Sequence, residues 1–146
     1  MNVQRKLKLL TASLSGLNYE VFITRRVVNV GVERGPACAI ETAVPTASAD
    51  GIEQLPCKKA LSEMRRNLTY AGDYSHGPDD GVLDSPQFAN VLSRVLEHFA
   101  GECCNAVDLH TFRFISGHPH YPVFWESAFL LRQCDSSTIW ISSSSD

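Results

Sequence analysis

No apolar run in this 146-residue chain reaches the roughly 20 residues that a helix needs to cross a bilayer. No basic excess is present: 13 Lys and Arg against 16 Asp and Glu leave a net charge of −3. That argues against a nucleic-acid footprint, which shows as clustered positive charge, and suits a protein that meets a basic partner. No C-x-x-C pair occurs among the five cysteines, Cys38, Cys57, Cys103, Cys104 and Cys134. The adjacent Cys103 and Cys104 match neither a zinc knuckle nor a common redox motif. An odd set of this kind reads as reduced thiols in a cytoplasmic protein. The chain also lacks a G-x-S-x-G nucleophile elbow, and "GVERGP" (Gly31–Pro36) has too few glycines and no following lysine for a phosphate loop. No cofactor is implied. Neither an internal repeat nor a linker divides the sequence, so one domain over 1–146 is expected.

What is present is hydrophobic periodicity of two kinds. Val3, Leu7, Leu10, Leu14 and Leu17 fall on one helical face. The basic, serine-containing start has the composition of a transit peptide as well, but the spacing favours a structural helix over about 2–14 that stops at Ser15-Gly16. "NYEVFIT" (Asn18–Thr24) alternates like a strand, and "VVNVGV" (Val27–Val32) reads as a second one weakened by Gly31. "ACAIETA" (Ala37–Ala43) is a short strand or a helical turn after the break at Pro36. "PTASADG" (Pro45–Gly51) is small and polar, a loop by composition. Cys57, Leu61, Met64 and Leu68 form the stripe of a helix over 56–68, with Pro56 at its first position.

The clearest element is a helix over 85–100. Ser85 is its N-cap, Pro86 its first residue and Gly101 its stop; Phe88, Val91, Leu92, Val95, Leu96 and Phe99 make its apolar stripe. The remainder reads as three strands, "LHTFRFI", "PVFWESAFLLR" and "TIWIS", the last two joined by the hairpin-length "CDSS". The closing "SSSSD" has nothing apolar to bury, so a disordered tail over about 143–146 is expected. Together these elements predict an α+β domain. It has a mainly antiparallel sheet, a C-terminal three-strand meander, and two to three helices packed on one face.

Three places carry candidate chemistry. In "SGHPHYP" (Ser116–Pro122), His118 and His120 are two apart, so an extended backbone sets both on one face, where they could share a metal with His110 or Asp108. No third ligand stands at a known spacing, and a Gly- and Pro-marked turn with surface histidines and Tyr121 at its tip is the preferred reading. "DYSHGPDDGVLD" (Asp73–Asp84) mimics a calcium loop at Asp73, Ser75 and Asp79. It fails at Pro78, where the turn needs glycine, at Asp80, where an apolar residue belongs, and at Asp84, where the bidentate glutamate belongs. It reads as a long, solvated acidic loop that could face a basic partner and that includes Tyr74. Glu126 sits inside an aromatic run; alternation sets it with Phe124, Ala128 and Leu130, and Arg113 on the neighbouring strand is its expected partner.

The expected function is therefore non-catalytic protein binding, as in a small cytosolic inhibitor or an immunity-type protein that neutralises a toxin or enzyme. The expected recognition residues are Tyr121, His118, His120, Asp73, Tyr74, Asp79, Asp80 and Glu126. The competing class is a small hydrolase or metal-dependent enzyme built on His118, His120 and nearby carboxylates.

Overall fold

A computed structural model describes residues 2–146. Helix α1 (Val3–Leu14) is capped by Asn2, whose side chain accepts the Arg5 N–H at 2.9 Å, and it buries Leu7, Leu10 and Leu14. Leu17 falls beyond the helix and is exposed. Strand β1 (Glu20–Val28) runs unbroken from within the first strand read from the sequence into the start of the second, which it leaves at Val28. Helix α2 (Pro36–Ala43) settles the ambiguous "ACAIETA" as helical, with Pro36 in its first turn and Ala39, Ile40 and Ala43 buried.

Strand β2 (Ser48–Gln54) occupies much of the stretch that polarity assigns to a loop. It is an edge strand, with mostly exposed side chains, so no alternation of apolar residues marks it. Its identity comes from backbone pairing with its neighbour. That pairing is interrupted by two register shifts, with Gly51 at φ +62° inside the second.

Helix α3 (Cys57–Leu68) takes Pro56 as its N-cap rather than its first turn. Helix α4 (Pro86–Asn105) begins as expected, with Ser85 Oγ accepting the Phe88 N–H, but it passes through Gly101 to end at Asn105, with Ala106 as its C-cap. A mid-helix glycine costs about 1 kcal/mol. The extra turn offsets that by burying Cys103 and by placing Glu102 where it accepts from Arg25 Nε at 2.7 Å and from Trp140 Nε1 at 3.2 Å, with His98 Nε2 2.8 Å away.

Strands β3 (Asp108–Ser116), β4 (Glu126–Arg132) and β5 (Ser137–Ser145) form the antiparallel meander expected at the C-terminus. The full order is β1-β5-β4-β3-β2, antiparallel throughout. Helices α1, α3 and α4 cover one face, packing on Val21, Leu109, Phe129, Leu131 and Trp140. Helix α2 covers the other, against Phe112, Ala128, Leu130, Ile139 and Ile141. Both faces of β4 and β5 are thus buried, whereas the sequence reading covered only one.

The serine tail is the largest departure. Ser142, Ser143 and Ser144 are buried in β5, paired on one side with β1 as far as Glu20↔Ser145 and on the other with β4 as far as Glu126↔Ser143. A serine run can occupy an interior strand when its polar atoms find partners. Ser142 Oγ lies 2.7 Å from Ser127 Oγ, Ser143 Oγ donates to the His120 carbonyl at 3.0 Å, and the Ser144 amide donates to the Trp125 carbonyl at 3.1 Å.

All five thiols are unpaired in this structure, with Cys103 buried and Cys104 and Cys134 exposed. Burial, together with Cys57 beside it, pushes the Cys103 thiol well above its ordinary range. A thiol-reactive probe applied to the folded protein should modify Cys104 and Cys134 first and Cys103 last, with five equivalents consumed after unfolding. Fewer than five after unfolding would reveal disulfides. Replacing Leu92 or Leu96 with alanine should cost about 2–5 kcal/mol by denaturant unfolding; unchanged midpoints would remove α4 from the core.

Candidate functional site

The segment between β3 and β4 leaves the sheet at Gly117, whose φ of +71° and close approach to the Thr46 carbonyl exclude a side chain. It then crosses the end of the sheet on the face of α2. His120 stacks on Phe22 of β1 with ring centroids 4.0 Å apart and planes 4° from parallel. His118 packs edge-on against Phe114 of β3 at 5.1 Å. The two imidazoles are turned toward different strands, so they do not present the shared face expected of an extended pair. Nor are they surface groups: the His118 side chain is only 7% exposed and His120 is half-buried. Tyr121 alone among the three stands in solvent, 81% exposed.

His118 Nδ1 accepts the His120 backbone N–H at 2.9 Å. In the neutral ring the proton therefore sits on Nε2. That atom lies 3.4 Å from Glu126 Oε2, yet it is buried and the geometry does not make a hydrogen bond. Burial lowers the His118 pKa, with His120 adding to the effect, and burial raises that of Glu126 against the opposing pull of Arg113. The expected cross-strand ion pair is replaced: Arg113 takes Asp50 at 3.7 Å, and Glu126 takes the neighbourhood of His118. The reason is that β3 and β4 pair only from Asp108↔Arg132 to Thr111↔Phe129. Beyond that point they splay apart, and Arg113 loses its place opposite β4.

A cleft of about 490 Å³ occupies this splay, lined by Gly51, Glu53, Glu63, Thr111, Phe112, Arg113, Glu126, Ser127 and Ala128. Glu63, projecting from α3, also has its pKa raised by burial, with Arg66 opposing. Sequence reading found Glu126 and Arg113 here but missed Glu53 and Glu63. Glu63 looks like any polar helix residue, and Glu53 lies in the unrecognised β2.

The acidic loop docks beside this end of the sheet. Asp73 Oδ1 accepts the backbone N–H groups of Ser75 and His76 and the Ser75 hydroxyl, all within 2.9 Å, and these bonds hold its pKa low. Its carboxylate is spent on a local turn rather than turned toward a common centre. Leu17 bridges to Gly77, and the ring of His76 lies 5.3 Å from that of Phe124, which also contacts Tyr19 and Tyr70. Phe124 thereby ties the loop to the β3–β4 crossover. Tyr74 is 96% exposed, and Asp79 and Asp80 are exposed around it. Among the described residues, no three His, Cys, Asp or Glu side chains gather as a metal-ligand set.

No protein-family model matches the chain, and neither a curated protein nor a solved structure matches it.

A buried, uncharged His118 makes a pH prediction. Its folded pKa lies below the unfolded value of 6.5, so the unfolded chain binds more protons in between. The stability linked to it is complete above about pH 6.5 and is lost as pH falls toward the folded pKa. A ring-proton titration by NMR should give a midpoint below 6.5 for His118; a midpoint above it would mean that Glu126 holds a charged imidazolium.

Proposed function

We propose that this is a non-catalytic protein-binding domain of the inhibitor or immunity-protein kind, acting in the cytosol on a basic partner. One observation carries the reading. Tyr74 and Tyr121, the two most exposed large hydrophobic side chains among the described residues, come from segments far apart in sequence that Phe124 and His76 hold at one end of the sheet. Exposed tyrosines on a braced support are the usual anchors of protein interfaces. Asp79 and Asp80 beside Tyr74 add negative potential that would steer a basic partner. Five unpaired thiols agree with a reducing compartment. No membrane or nucleic-acid role is invoked; no described helix is long and apolar enough to cross a membrane.

The competing hydrolase or metal-enzyme reading draws less support. Its two histidines face different strands, and His118 Nδ1 is already engaged by the His120 N–H. Tyr121→Ala should weaken the complex with the partner by about 2 kcal/mol or more without moving Tm. Asp79→Asn with Asp80→Asn should chiefly slow association at low salt. Partner binding indifferent to Tyr121, together with one equivalent of bound metal lost in a His118/His120 double alanine variant, would favour the enzyme.

A further inference from the structure

Most buried charges in this protein are fully matched. Arg132 donates from Nε and Nη2 to both oxygens of Asp108 and from Nη1 to the Arg34 carbonyl. Glu102 is satisfied by Arg25 and Trp140. The cleft between the splayed strands is different. Three carboxylates line it, Glu63 and Glu126 half-buried and Glu53 exposed, and none has an Arg or Lys within ion-pair distance. Its one guanidinium, Arg113, is engaged with Asp50.

Behind Glu126 stands a second irregularity, the imidazole of His118. The side chain is 7% exposed, and its Nε2 faces the Glu126 carboxylate at 3.4 Å without forming a hydrogen bond. A buried donor left in that state is costly. A neutral imidazole also leaves the Glu126 charge with only the more distant pull of Arg113. Both features would be relieved by a positive group in the cleft that fixes Glu126 as a carboxylate and lets it settle against His118.

We propose that this cleft binds an organic cation bearing N–H donors on an aliphatic stem, an alkylammonium or guanidinium group, with Glu126 as its principal acceptor and Glu63 and Glu53 supporting. The hydroxyls on the walls are already used, since Thr111 Oγ1 donates to the Ala128 carbonyl and Ser127 Oγ pairs with Ser142 Oγ. The carboxylates come from three elements, β2, α3 and β4. Such an arrangement suits a ligand with several N–H groups better than a single metal ion, which needs its donors converging on one point. Phe112 and Ala128 offer apolar wall for the stem, and about 490 Å³ falls in the size range of small-molecule sites. Burial raises the proton affinity of Glu126 and Glu63, and a bound cation would offset that by favouring their carboxylate forms.

Two sources share this chemistry, a free amine and a Lys or Arg side chain of a basic partner. Only the choice between them rests on the protein-binding reading above. Agmatine serves as the free probe, and a short capped alanine peptide with one central arginine serves as the side-chain probe. Each is titrated into the full-length protein and followed by calorimetry and by amide shifts. The expected result is saturable one-to-one binding that shifts Glu126, Ser127 and Arg113. It should weaken about tenfold or more in Glu126→Gln and less in Glu63→Gln, because each removes a charged hydrogen-bond acceptor without changing shape. Near pH 5 binding should release protons, since the bound cation favours ionised Glu126. Tetramethylammonium, a cation without N–H groups, should leave these amides unmoved.

Tighter binding of the peptide than of agmatine supports a partner's side chain as occupant. Tighter binding of agmatine supports the site and counts against the partner as its source, leaving the tyrosine surface to be judged by its own variants. Saturation by neither probe, or affinities unchanged in Glu126→Gln, would overturn the proposal. So would equal shifts with tetramethylammonium.

Discussion

The structure depends on the insertion of β5 between β1 and β4. This strand joins the N-terminal third of the chain to the C-terminal meander, since β1 reaches the rest of the sheet only through it. Ile139, Trp140 and Ile141 in its first half pair with Leu130, Phe129 and Ala128 of β4 and join both cores. Its second half is serine. Placing hydroxyls in a sheet interior obliges the surroundings to supply partners, because an unmet buried hydroxyl costs about 1–3 kcal/mol. Ser127 and the His120 carbonyl supply them for Ser142 and Ser143, and the backbone of Val123 and Trp125 pairs with that of Ser144, whose own hydroxyl is left buried without a partner.

That obligation shapes the candidate site. The crossover from β3 to β4 cannot wander over the surface, because Val123, Trp125 and the His120 carbonyl are fixed to β5. Trp125 is further anchored by its indole N–H, which donates to the Tyr19 hydroxyl at 2.6 Å. With the crossover drawn inward, His118 is buried against Phe114, β3 and β4 are held apart beyond Thr111, and Glu126 is left lining a cleft. Tyr121 remains outside. The same bracing through Phe124 carries the acidic loop into place. The two features proposed as functional, the tyrosine surface and the carboxylate cleft, are thus both consequences of one polar strand in the middle of a sheet.

The sequence showed what burial of apolar residues dictates and obscured what polar pairing dictates. Helix α4 was legible because Ser85, Pro86 and a six-residue stripe all point to one period. The meander was legible from alternation in 109–115 and 138–142. Strand β2 was not, since an edge strand exposed on most of its positions carries no apolar signature. The serine tail is obscured for a related reason: polarity alone signals solvent, whereas here the hydroxyls of Ser142 and Ser143 and the amide of Ser144 meet partners whose position only the fold defines, and only the Ser144 hydroxyl is buried without one. Gly101 failed as a helix stop because Glu102 and Cys103 gain more from tertiary contacts than glycine loses locally. Within the site, the segments 73–80 and 117–126 were found from their turn and aromatic residues, but the roles inside them changed. His118 proved to be buried, and Arg113 was drawn to Asp50.

The claim that a serine strand organises the molecule is tested most directly by native-state hydrogen exchange at the amides of Ser142, Ser143 and Ser144. Protection comparable to that of Ile139–Ile141 is expected, with Ser144 slowed by its bond to the Trp125 carbonyl. Exchange at the rate of an unstructured terminus, with Ile139–Ile141 still protected, would contradict it. The β3–β4 crossover would then have lost the support on which His118, Glu126 and Tyr121 depend.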